Sequence, residues 1–92
     1  MKRRVHVFYS GHVQGVGFRI TAEETALRCS VCGWVKNLRD SRVELIAEGT
    51  EAVLQQFLEE IRTGAMGKFI QDASVSWGEP TDEFKGFEIR YF

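Results

Sequence analysis

The chain has 92 residues, 43% hydrophobic, 12% aromatic and 27% charged, with a formal net charge of −1 at pH 7. That composition suits one packed domain over residues 1–92, since independent cores run from about 50 to 200 residues. No apolar run approaches the roughly 18 residues of a membrane span, and the near-neutral charge argues against a nucleic-acid partner.

The basic start, Lys2-Arg3-Arg4, reads as a solvated terminus. No apolar signal region follows it, so the chain is expected in the cytoplasm. Val5, Val7 and Tyr9 alternate with His6 and Phe8, the period of a half-buried strand. Gly11-His12-Val13-Gln14-Gly15-Val16-Gly17 holds three glycines in seven residues and reads as a loop. A helix is expected over about 18–29, with Ala22, Ala26 and Cys29 at helical spacing. Its start has two readings. Thr21 with Glu24 forms a capping box that would begin the helix near Ala22, whereas an anion-binding loop requires free amides in a first turn at Phe18-Arg19. The earlier start is favoured.

Gly33 is expected to break the chain before a hairpin. Its arms are 34–38 and 43–48, and Arg39-Asp40-Ser41-Arg42 is its turn. Thr50 is a candidate N-cap for a second helix carrying the stripe Val53, Leu54, Phe57, Leu58 and Ile61. Gly64 and Gly67 close that helix. Ala73, Val75 and Trp77 mark another strand, and Phe87, Ile89 and Tyr91 a short last one. The order predicts an α+β, ferredoxin-like βαββαβ sandwich with a short final strand. Its sheet would be mainly antiparallel, with two helices on one face.

Cys29 and Cys32 form a C-x-x-C pair. A zinc site would need two further ligands, and His6 and His12 lie far upstream without ligand spacing. A redox pair sits where a helix N-terminus lowers a thiol pKa, but these cysteines fall at the helix's far end. They read as small packing residues. Glu23-Glu24 and Glu59-Glu60 diverge by about 100° on their helices, which suits solvated faces better than paired catalytic acids.

The glycine loop is the chemical feature. Glycines before a helix let backbone N–H groups converge on one point, a concavity that binds anions. Arg19 follows with a planar fork of donors suited to phosphate oxygens. The Walker and dinucleotide patterns are both missing. Six residues separate Cys32 from Arg39, which is too many for a thiolate phosphatase loop. No Asp-x-Asp or Arg-His-Gly supplies another nucleophile.

Gly11-His12-Val13-Gln14-Gly15-Val16-Gly17-Phe18-Arg19 resembles the first signature of the acylphosphatase family. Gly33-Trp34-Val35-Lys36-Asn37, followed by Asp40 and Val43-Glu44, resembles its second. Gly86-Phe87-Glu88-Ile89-Arg90 is similar to the family's ending. The resemblance implies metal-free, cofactor-free hydrolysis of the carboxyl–phosphate anhydride of a small-molecule acyl phosphate; nothing in the sequence suggests an obligate partner, so a monomer is expected. It assigns phosphate binding to the amides of Gln14, Gly15, Val16, Gly17, Phe18 and Arg19, with Arg19 and Asn37 as catalytic residues, Asn37 orienting water. An Asn inside a strand suits that role, since strands disfavour it.

Two departures from the family concern backbone shape. Ser30 and Ser41 stand where glycines are common, so positive φ there would cost about 1 kcal/mol. His12 sits at a variable position and is expected to face solvent. The competing readings are a ferredoxin-like module that binds a metal through C-x-x-C or binds RNA, and one that binds acyl or carbamoyl phosphate without turnover. RNA-binding relatives of this topology carry aromatics on central strands in a motif missing here.

Overall fold

The computed structural model describes residues 1–91. Within them run β1 (Lys2–Gly11), α1 (Phe18–Cys29), β2 (Cys32–Asn37), β3 (Val43–Thr50), α2 (Glu51–Thr63), a 3-10 turn (Gly67–Phe69), β4 (Ile70–Gly78) and β5 (Phe87–Arg90). The strands form a sheet ordered β4-β1-β3-β2-β5. Neighbours are antiparallel except β2 and β5, which are parallel. This is the expected ferredoxin-like α+β arrangement, with β5 added at one edge.

Strand alternation turns Val5, Val7 and Tyr9 toward the helices, none more than 3% exposed. Val35, Leu45, Ala47 and Phe87 join them from the neighbouring strands. Ala22 and Ala26 of α1 and Leu54, Phe57 and Ile61 of α2 complete the core. Burying each large side chain contributes about 1.5–3 kcal/mol, so this cluster is the main force holding both helices on one face. On the other face Trp34 stays buried because Lys36 and Arg90 each place a cation 5.1 Å from its ring centroid.

The helix ends follow local chemistry. Thr50 Oγ1 accepts from the Val53 amide at 3.3 Å, as the sequence predicts for α2. α1 ends on Ser30 in the left-handed region, φ 59°, while the Val31 amide donates to Ala26 O at 2.9 Å.

Two expectations are corrected. Gly33 lies inside β2 instead of before it, because a Cβ there would sit 1.9 Å from the Ile46 carbonyl oxygen. Glycine is what allows β2 to approach β3 so closely. The basic start is part of β1, and each residue is paired: Lys2 with Asp82, Arg3 with Glu51, Arg4 with Glu48. Among the described residues no helix is long and apolar enough to cross a membrane.

Candidate active site

Residues 12–17 join β1 to α1. The loop is anchored where it leaves β1: His12 N–H donates to Phe69 O at 2.9 Å, and Val13 is buried in the core. Gly15 and Gly17 have φ of 77° and 86°, and an added Cβ at either would meet nothing within 4 Å. Glycine is required there by the backbone angle and not by lack of space.

Gly17 caps α1, and the helix's first main-chain bond runs from Thr21 N–H to Gly17 O at 3.1 Å. The helix therefore begins at Phe18, as favoured above. Thr21 lies inside it, where its carbonyl accepts the Thr25 hydroxyl at 2.8 Å, and the capping box is unused. The amides of Phe18, Arg19 and Ile20 precede that first bond, at the positive end of the helix dipole.

Arg19 is half-buried, its guanidinium 5.1 Å from the centroid of the Tyr91 ring. It forms no ion pair among the described residues. Asn37 ends β2 opposite Val43. Its Oδ1 is buried and has no hydrogen-bond partner among the described residues. Such an orphaned acceptor costs about 1–3 kcal/mol, so a folded protein that keeps one is expected to satisfy it with something bound.

Arg19, Asn37, Gly15, Gly17 and Phe18 line one cavity of about 90 Å³, together with Val13 and Ile20. Two elements 18 residues apart in sequence (37 minus 19) are thus brought to one small polar space. Val16 and Gln14 do not line it. Val16 packs against the core, and Gln14 sends its side chain to the β2–β3 turn, where Nε2 donates to Leu38 O and Arg42 O. Sequence reasoning gave Gln14 a main-chain role only. A long carboxamide set among small residues in a tight loop was the signal available for more.

Cys29 and Cys32 are free and half-buried at the end of α1 and the start of β2. Burial pushes both thiols up, Cys29 further so beside the Glu60 carboxylate 3.5 Å away and Cys32 beside Glu48. Neither is an activated thiolate. Among the described residues no three His, Cys, Asp or Glu side chains are grouped to hold a metal ion. His12 is exposed, as expected. A larger groove of about 320 Å³ between α2 and β4 is lined mainly by Leu58, Ile70, Ala73, Val75 and Tyr9, and contains no residue of either motif.

Known proteins share this sequence and fold. A family model described as acylphosphatase matches residues 5–89. The acylphosphatase of Trichormus variabilis is 40% identical over 87 residues, covering 95% of this chain and 85% of the relative. That of a Roseiflexus species is 42% identical over 86 residues, covering 94% and 92%. The crystal structure of acylphosphatase from Bacillus subtilis superposes with a TM-score of 0.90 at 37% identity, covering 97% of this chain and 99% of that one.

Proposed function

The chain belongs to the acylphosphatase family, and from that premise we propose that Arg19 and the loop amides hold a phosphoryl group while Asn37 orients the attacking water. The protein is an enzyme that hydrolyses acyl phosphates to carboxylate and inorganic phosphate. In the proposed route the phosphoryl oxygens take the amides of residues 14–19 and the Arg19 guanidinium as donors. A water oxygen attacks phosphorus. The bond from phosphorus to the acyl oxygen breaks, its electron pair leaving on the carboxylate. Both water protons stay with the phosphate product, so the proton needs no basic side chain.

Few groups are needed because a carboxylate leaves well without a general acid. Phosphoryl transfer depends chiefly on positioning and on stabilising charge. Asn37 can accept and donate hydrogen bonds without ionising. The observation that carries the reading is its buried, unpartnered Oδ1 lining the same cavity as Arg19 and the loop glycines. A water donating to that oxygen would satisfy it. The reading calls on no metal ion and takes the enzyme as a cytoplasmic monomer.

The test is phosphate release from benzoyl phosphate in the presence of EDTA. Wild type is expected to be active. Arg19→Ala and Asn37→Ala are each expected to lose about a hundredfold or more in kcat/KM while keeping native circular dichroism. Full rates in both variants, or an inactive wild type, would sink the reading.

A further inference from the structure

The two halves of the site are tied by one side chain. Gln14 Nε2 donates to Leu38 O at 2.8 Å and to Arg42 O at 3.0 Å, across 24 and 28 residues of sequence. A carboxamide nitrogen has two N–H groups, and both are used. The same two carbonyls also close the turn from within: Arg42 O accepts the Leu38 amide at 2.8 Å, and Leu38 O accepts the Ser41 amide at 3.4 Å. Leu38 directly follows Asn37. The clamp therefore holds the peptide that follows Leu38 and, through Arg42 O, the Leu38 amide of the peptide that follows Asn37.

We propose that Gln14 is a positioning residue, its carboxamide locking the β2–β3 turn to the glycine loop so that Asn37 keeps its place relative to the bound phosphoryl group. In the proposed route the main-chain amide of Gln14 is one of the phosphate donors; the side chain, turned to the β2–β3 turn, has this separate task. Little else could perform it. The turn itself is exposed at Arg39, Asp40 and Ser41, and Ser41 holds φ of 81°. Arg42 pairs with Asp40 inside the turn and stacks over Phe8, contacts that do not reach the loop. A turn without the Gln14 bonds would keep its hairpin register but lose its reference to the loop.

The proposal rests on the role given to Asn37 above, and predicts a split between binding and turnover. In Gln14→Ala the loop amides and Arg19 remain, so inhibition by inorganic phosphate should change less than about threefold. Turnover of benzoyl phosphate should fall about ten- to a hundredfold, because misplacing one reacting group by about 1 Å can cost up to about a hundredfold. Gln14→Glu adds a pH signature. Ionised, its carboxylate repels the two carbonyl oxygens; protonated, its O–H donates to one of them. Its kcat relative to wild type at the same pH should therefore rise as pH falls toward the carboxyl range, about 4–5.

Equal losses of turnover and phosphate affinity in Gln14→Ala, or a pH-independent ratio for Gln14→Glu, would overturn the clamp. If wild type itself releases no phosphate, the functional reading falls, and the clamp is judged by hydrogen exchange alone. The Leu38 amide should then exchange several-fold faster in Gln14→Ala than in wild type; an unchanged rate would overturn it.

Discussion

The Arg19 guanidinium lies 5.1 Å from the centroid of the Tyr91 ring, so the cation of the first helical turn rests on a residue from the far end of the chain. β5 runs parallel to β2 and carries its C-terminal end to the level of Lys36, which delivers Tyr91 to the site. Among the described residues no carboxylate pairs with the guanidinium, and an aromatic face can hold it without neutralising its charge. That is a useful support for a cation proposed to bind an anion.

Removing the ring should loosen Arg19 without removing it. Tyr91 is 69% exposed, so the contact is worth about 0.5–1 kcal/mol. Tyr91→Leu is expected to weaken competitive inhibition by phosphate about two- to fivefold. Tyr91→Phe keeps the ring and should stay close to wild type. Equal weakening in both variants would point to the hydroxyl instead, and no change in either would leave the stacking without consequence.

Glu48 connects the strands to the segment that leads into β5. It is 2% exposed and accepts from Arg4 Nη1 and the Thr81 amide at 2.8 Å each, from the Thr81 hydroxyl and the Asp82 amide at 3.1 Å each. Burial alone would raise its pKa, but the donors prevail and hold it below the ordinary 4.5. A depressed folded pKa means the stabilisation is present above the unfolded value and is lost as pH falls through the folded one. Glu48→Gln should therefore cost about 3 kcal/mol at pH 7, leaving Arg4 only the exposed Glu83 carboxylate at 3.7 Å as an ionic partner and setting an N–H against amide donors. In urea titrations the gap between wild type and variant should narrow steadily below about pH 4.5. A gap constant from pH 7 to pH 3 would show that the carboxylate charge is not what holds this segment.

What could be read in advance, and what could not, divides by the range of the interaction. Loop glycines, the Thr50 cap and the α2 stripe are consequences of neighbouring residues, and their positions followed from local chemistry. Arg19 and Asn37 could be paired only through the family resemblance, because nothing local says that α1 delivers one end of β2 to the loop. The role of Gly33 was misread because its cause is a backbone in another strand, at Ile46. The Gln14 clamp, the Tyr91 support and the Arg4–Glu48 pair each span at least 24 residues, and no period or spacing within a segment reports such contacts.

The two serines in glycine-like conformations make the last prediction. Ser30 has φ 59° at the end of α1, and Ser41 has φ 81° in the β2–β3 turn. A Cβ in the left-handed region crowds the following carbonyl at about 1–2 kcal/mol, while glycine gains back some unfolded-state entropy. The net expectation for Ser30→Gly is stabilisation by about 0.5–1 kcal/mol, since its hydroxyl makes no hydrogen bond among the described residues and its amide donates to Leu27 O in either case. Ser41→Gly should gain a similar amount, less if the freer turn depends more heavily on Gln14. The two lie on separate elements, so their effects should add within about 0.5 kcal/mol. Denaturant midpoints with unchanged slopes are the measurement. A loss of stability in Ser30→Gly would mean that the entropy of the unfolded glycine exceeds the strain it relieves.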